Sequence, residues 1–266
     1  MTTLSSTLGM IGGTGWLGGS IARRLLSSGC VPAERLWLSN RSGNRGGFES
    51  WPAVTITPDN SALVAACDVV VLAVRPEQLR DTELDLSGKL MISVMASTPV
   101  ARLAELTSAN RIARTMPSPA TEHGEGFTPW FATPDTTDED RAVVRALFDA
   151  CGIAEQVAEE AHVDWFTGLT GPSPGLFGYA AHALIEATVA HGIDRQVAER
   201  AIRFHAMAAG NEILRSDLSP AKDVQRIMDY AGVTTAALEA AEQSGAMQAF
   251  DAALKAAFVI AGKDRT

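Results

Sequence analysis

The chain has 266 residues, 46% of them hydrophobic and 20% charged, enough to bury a sizeable core and unlike disordered, fibrous or disulfide-stapled proteins. Its 31 acidic residues outnumber 22 basic ones, and the net charge of −9 argues against a nucleic-acid partner. Three widely spaced cysteines (Cys30, Cys67 and Cys151) and five histidines show no metal-ligand spacing, and no apolar run reaches the roughly 18 residues of a membrane span.

The apolar stretch before Arg23 is broken by six glycines, unlike a secretory or transit signal. The expectation is a cytoplasmic protein with no metal, no nucleic acid and no membrane partner.

In chain order, short apolar runs alternate with helical stretches. Strands are expected at Leu8–Ile11, Leu36–Leu38, Val69–Val74, Leu90–Val94, Ile112–Met116, Thr128–Ala132 and Glu155–Val157. Helices are expected at Ser20–Ser28, Ser61–Ala66, Pro99–Thr107 and Asp138–Ala150. This alternation predicts a sheet covered by helices on both faces, parallel at least in its first half. Val69 to Val74 is apolar at consecutive positions, as a strand buried on both faces requires. From about His162 alanine becomes frequent and apolar residues recur at helical spacing, as in Leu176, Phe177, Ala180, Ala183, Leu184 and Ala187. Turn signals at Pro172–Gly175, His191-Gly192, Ser219-Pro220, Ala231-Gly232 and Ser244-Gly245 divide this half into about five helices. Ala-rich helices of this kind bury much of their surface against a second copy, so a dimer is expected.

Gly13-Thr14-Gly15-Trp16-Leu17-Gly18 fits G-x-G-x-x-G between a strand and a helix. In that pattern the first glycine permits the turn, the second admits a pyrophosphate, the third lets helix and strand approach, and the helix N-terminus faces the anion. At the end of the second strand an NAD site would offer a carboxylate. This chain offers Ser39-Asn40-Arg41-Ser42, with Arg45 following. A guanidinium with small hydroxyls and amides accepts a 2′-phosphate that a carboxylate would repel, so the expected cofactor is NADP. Ala73-Val74-Arg75-Pro76 ends the buried strand at the same edge; Arg75 is a cofactor contact or a strand-end charge.

At these residues the chain resembles the pyrroline-5-carboxylate reductase family. The resemblance rests on Ile11 to Gly18, Asn40-Arg41, Ala73 to Pro76, Ile92 to Ala96, Arg114 to Pro119 and Gly124-Glu125-Gly126. In the helical half it rests on Thr170 to Gly175 and on Tyr230-Ala231-Gly232-Val233-Thr234-Thr235. It implies a Rossmann domain, an interlocked helical dimer sometimes built into larger assemblies, and cofactor contacts extending to Met95 and Ala96. It also implies that the threonine matching Thr235 hydrogen-bonds the substrate near its imine nitrogen, while backbone amides around Gly232, Val233 and Thr234 hold its carboxylate. Three positions depart from the pattern. Ser118 stands for an asparagine, Pro172 is an extra proline, and Tyr230 occupies a position where the family has serine.

The residues support that chemistry on their own terms. Gly232 breaks the chain before a helix opened by Thr234-Thr235, which brings hydroxyls and unpaired N–H groups to one spot, a carboxylate receptor. A protonated imine is already electrophilic, so positioning and a hydrogen bond suffice. Tyr230 would fill the pocket, shrink it, or present a phenol as a second catalytic group.

The expected architecture is α/β, with a Rossmann-type doubly wound NADP-binding domain at residues 1–157. An all-α dimerisation and substrate domain follows at residues 158–266. The expected activity is NADPH-dependent reduction of a small cyclic imine carboxylate, pyrroline-5-carboxylate or a close analogue. One alternative is an imine reductase of the β-hydroxyacid dehydrogenase type; its hydroxyacid-oxidising members use a lysine, and none lies between Lys89 and Lys222. Another is a non-catalytic NADP-binding regulator.

Overall fold

A computed structural model describes residues 3–80, 84–230 and 232–263. The first part runs β1 (Leu8–Ile11), α1 (Trp16–Ser27), β2 (Leu36–Ser39), β3 (Thr55–Thr57), α2 (Asn60–Ala66), β4 (Val69–Leu72) and α3 (Pro76–Arg80). It continues with β5 (Leu90–Ser93), α4 (Val100–Thr107), β6 (Arg111–Thr115), β7 (Gly126–Ala132), α5 (Asp138–Asp149) and β8 (Gly152–Gln156). Among the described residues the strands form one sheet in the order β3-β2-β1-β4-β5-β6-β7-β8. The first six are parallel, as expected. β7 runs antiparallel to β6 because a short link with one 3₁₀ turn, Pro119–His123, joins them in place of a crossover helix. β8 is again parallel to β7.

Alternate residues of each central strand feed two cores. Val69, Val71, Leu90 and Ile92 join Leu25, Leu36, Trp130 and Phe148 on one face. Val70, Leu72 and Met91 join Leu63, Leu103 and Ile112 on the other. Period-two alternation with both sides apolar is why these strands read as continuous hydrophobic runs. Local signals fix the helix starts. Asp59 caps α2 by accepting from Ser61 and Ala62 N–H at 2.8 and 3.1 Å. Thr137 and Asp140 form a reciprocal capping box on α5. The sequence pattern omits β3, a three-residue edge strand, and starts α1 four residues late.

The second half contains α6 (Glu160–Thr170), α7 (Ser173–Ala190), α8 (Arg195–Arg215), α9 (Pro220–Asp229), α10 (Val233–Gln243) and α11 (Ala246–Lys263), six helices where about five were expected. By compactness the chain divides into residues 1–171 with 258–266, and residues 172–257. α6, which follows the boundary expected after residue 157, packs on the sheet through Arg114, which bonds Glu160 and Asp164, and through Phe166 against Phe127 at 5.4 Å. No helix among the described residues is long and apolar enough to cross a membrane, and no cluster of three or more potential metal ligands occurs among them.

Candidate functional site: a nucleotide cleft and a helix-start pocket

The carboxyl ends of β1, β2 and β4 open into a cleft of about 470 Å³, lined by Ile11, Gly12, Thr14, Gly15, Ser39, Asn40, Arg41, Pro58, Asn60, Ala73, Val74, Gln78, Leu79 and Leu84. It lies where the strand order reverses on either side of β1, the usual ligand position in an open α/β sheet. None of its lining residues is acidic.

The glycine turn is built one residue longer than the G-x-G-x-x-G spacing. Gly12, not Gly13, takes the left-handed conformation (φ +81°), and a Cβ there would lie 2.5 Å from the Ala73 carbonyl. Gly13 is small because a Cβ would meet the Leu38 side chain at 2.7 Å. Gly18 lets α1 approach the turn, a Cβ falling 2.6 Å from Gly12 O. At Gly15 an added Cβ would meet only Gly12 O, at 3.1 Å. Its remaining side is left clear for a ligand in the cleft. The turn thus reads Gly12-x-x-Gly15-x-x-Gly18. The N–H groups of Gly12 and Gly13 donate to Ser39 O at 3.1 and 3.2 Å, clamping it to β2. α1 starts at Trp16 with no side-chain cap and no acid in its first turn, so its first N–H groups are free for an anion.

At the end of β2 the polar residues divide their work. Ser39 donates to Asn60 Oδ1 at 2.6 Å. The Asn40 amide donates to Asn44 O at 2.7 Å, and its Oδ1 accepts from Ser42 N at 3.1 Å, shaping the turn. Arg45 is turned inward, donating to the carbonyls of Phe48, Trp51 and Val54 at 3.4, 2.7 and 3.2 Å; it holds the loop and does not line the cleft. Arg41 is exposed on the cleft wall. It has no hydrogen-bond or ion-pair partner among the described residues.

Of the residues expected to touch the cofactor, the cleft brings together Thr14, Gly15, Ser39, Asn40, Arg41, Ala73 and Val74. Gly13, Trp16, Leu17, Gly18, Ser42, Arg75, Pro76, Met95 and Ala96 do not line it. Arg75 acts through its backbone, donating N–H to Gln78 Oε1 at 3.1 Å. Met95 is buried and Ala96 exposed in the loop after β5. Gly12, Pro58, Asn60, Gln78, Leu79 and Leu84 were missed. Only Gly12 carried a sequence signal, its place beside Gly13 at the end of β1.

Within the second unit a pocket of about 380 Å³ is lined by Arg226, Ile227, Tyr230, Gly232, Val233, Thr234 and Thr235. Gly232 is the extended N-cap of α10 and Ala236 N–H returns to Gly232 O at 3.2 Å, which leaves the N–H groups of Val233, Thr234 and Thr235 without intrahelical partners. Thr235 is partly engaged. Its hydroxyl accepts from Gly232 N at 3.2 Å and donates to Ile227 O at 3.2 Å, stapling α10 to the end of α9. Two hydroxyls of this pocket, those of exposed Thr234 and Tyr230, have no hydrogen-bond partner among the described residues. The Tyr230 residue, 88% exposed, caps α9.

Residues 7–97 match the family model "NADP oxidoreductase coenzyme F420-dependent", and residues 160–263 match "Pyrroline-5-carboxylate reductase dimerisation". The chain is 31% identical to pyrroline-5-carboxylate reductase of Glycine max over 248 residues, 91% of this chain and 89% of that one. It is 26% identical to the same enzyme of Synechocystis, over 96% of this chain and 97% of the relative. Among solved structures, a pyrroline-5-carboxylate reductase from Coxiella burnetii superposes with a TM-score of 0.90 at 25% identity, over 99% of this chain and 100% of that one. A Plasmodium falciparum pyrroline carboxylate reductase with NADP bound gives 0.80 at 23% identity over the same shares, a likeness of fold. An Aspergillus terreus reductive aminase shares the fold more distantly, with a TM-score of 0.54 at 15% identity over 79% of this chain and 75% of that one. With near end-to-end similarity to these reductases in both halves, the chain belongs to the pyrroline-5-carboxylate reductase family.

Proposed function

We propose that the protein is an NADPH-dependent oxidoreductase acting on C=N, which reduces pyrroline-5-carboxylate to proline as a cytoplasmic homodimer. The observation that carries the cofactor assignment is Arg41, an unpaired guanidinium on the wall of a cleft with no acidic lining residue. A cradle narrowed by Gly12 and left clear at Gly15 fits a pyrophosphate, and the uncapped start of α1 faces it. When bound, NADPH supplies the hydride. Three buried free thiols agree with a reducing compartment.

The substrate's needs are an anion receptor and a partner for its nitrogen. The first-turn N–H groups of α10 receive the carboxylate. A protonated imine needs an acceptor for its N–H; the α9–α10 staple uses the Thr235 proton and one of its two oxygen lone pairs, so both Thr235 and the exposed Thr234 hydroxyl can accept it. Tyr230 bounds the same pocket and limits ring substituents. Residues 160–263, the stretch that matches a dimerisation domain, supply the subunit interface.

Purified protein should oxidise NADPH with pyrroline-5-carboxylate, and NADH less efficiently. Thr234→Ala should lower kcat roughly ten- to a hundredfold, the loss of one hydrogen bond to a charged group, with NADPH affinity unchanged. Thr235→Ala should instead lower thermal stability through the α9–α10 joint. NADPH binding without turnover on five- or six-membered imine carboxylates would favour a non-catalytic regulator.

A further inference from the structure

The loop after β5, Val94 to Pro99, carries an unexplained strain. Ser97 lies at φ +53°, one of two non-glycine residues at positive φ among the described residues, a conformation that costs an L-residue about 1–2 kcal/mol. Such a residue persists where its surroundings over-determine it, and it clusters at functional sites. At the crest Ala96 is exposed and Ser97 half-buried, between buried Met95 and Thr98. On the β5 side the loop is fixed by Met95 N–H donating to Ser93 Oγ at 3.2 Å, and by Thr115 Oγ1 donating to Ser93 O at 3.0 Å.

On its other side the loop runs into α4, whose N-cap, Pro99, makes no side-chain hydrogen bond. The first N–H of α4, that of Val100, donates at 2.7 Å to Glu160 Oε1, a carboxylate 60 residues away in the first turn of α6. The same oxygen accepts from Arg114 Nη1 at 2.8 Å, and Arg114 Nη2 donates to Asp164 Oδ1 at 2.5 Å. Arg114 is 1% exposed. Its charge is met twice, so Asp164 alone can neutralise it. The Glu160 carboxylate satisfies the buried Arg114 Nη1 and, with the same oxygen, anchors a loop far from it in sequence.

We propose that Glu160 is a positioning residue for the reduction: through the Val100 N–H it holds the loop after β5 in the strained form that flanks the nicotinamide end of the cleft. This rests on the NADPH reading of the first unit. Arg41 at the end of β2 fixes the phosphorylated adenosine end, so a dinucleotide spanning the carboxyl edge of the sheet runs from there past β4 toward β5. The loop leaves the carboxyl end of β5, the next strand along that edge beyond β4.

The test uses the full-length enzyme with NADPH and pyrroline-5-carboxylate, with NADPH affinity measured separately by titration. Val100→Pro removes the donor while keeping an apolar side chain where Val100 packs on the core, because proline is tolerated at the first helical position and Pro99 is already extended (ψ 153°). It leaves the Arg114 pairs intact. Val100→Pro and Glu160→Ala should each lower kcat roughly tenfold or more, as expected of a small misplacement, with NADPH affinity within about twofold of wild type. Adding Ser97→Gly should restore most of the lost kcat, because glycine takes positive φ without steric cost. Wild-type kcat in Val100→Pro overturns the proposal, as does a double variant no faster than its parent. A wild-type enzyme that binds NADPH but turns over no imine overturns the functional reading and this inference with it.

Discussion

The first unit closes its core within one chain, whereas the second leaves its apolar side chains at the surface. Leu8, Leu36, Leu63, Trp130 and Phe148 are shut away between sheet and helices. In residues 172–257 the one buried residue among those described is Ala198, while Phe177, Phe204 and Leu214 are 75%, 65% and 76% exposed. A sheet with helices on both faces is self-sufficient; helices α7 to α10 are not, and their apolar faces require a partner surface. That surface is what a dimerisation domain supplies.

The contrast is broken most sharply at Phe204. Phe204→Glu should give a monomer by light scattering and abolish turnover, since losing an aromatic anchor costs about 2–4 kcal/mol of association and the buried charge adds to it. NADPH binding should survive, because the cleft lies wholly in the first unit. If Phe204→Glu stays dimeric and active, the exposed stripe is not the interface.

A substitution in the first unit should do the reverse. Arg41→Asp removes a charged hydrogen-bond partner and adds a repulsive carboxylate, weakening NADPH by roughly two orders of magnitude while NADH binding and the dimer persist. An unchanged NADPH-to-NADH affinity ratio would refute the 2′-phosphate assignment. Next in size is Gly12→Ala, which forces a Cβ against the Ala73 carbonyl at φ +81°; melting should show a loss of about 1–3 kcal/mol. Gly29, also left-handed (φ +72°) but with open space around a Cβ, should tolerate alanine better.

The smallest effect concerns Glu122. Hydrogen bonds from Arg23 and Ser20 hold its carboxyl below the usual glutamate value, tying the Pro119–His123 turn to α1. A lowered pKa stabilises the fold above the ordinary value and loses that contribution as pH falls through the lowered one. The melting-temperature gap between wild type and Glu122→Gln should therefore be present at neutral pH and close in acid. A gap that stays constant with pH would assign no role to the charge.

Much of this arrangement could be read in one dimension. Val69 to Leu72 announced a central strand because each of its faces meets helices. Gly13 to Gly18 after β1, and Asn40-Arg41 after β2, could be read as a candidate phosphate-binding edge because backbone conformation and charge are local properties. The frame of the glycine turn was not legible, since three glycines in sequence do not reveal which one takes positive φ. Nor was the difference between Arg41 and Arg45, two similar loop cations of which one folds inward onto three carbonyls. Thr234 and Thr235 looked alike for the same reason.

The sequence by itself determined the α/β first half, the helical second half, the anion-receiving turn and the preference for a phosphorylated nucleotide. These follow from periodicity, glycine placement and the sign of charge, which act over a few residues. Only the tertiary structure decided that the Thr235 hydroxyl staples α10 to the end of α9. It also showed that α6 belongs with the sheet and that a carboxylate in α6 caps α4. Each of those outcomes depends on which distant groups meet, and hydrogen-bond partners brought together across 60 residues leave no trace in local pattern.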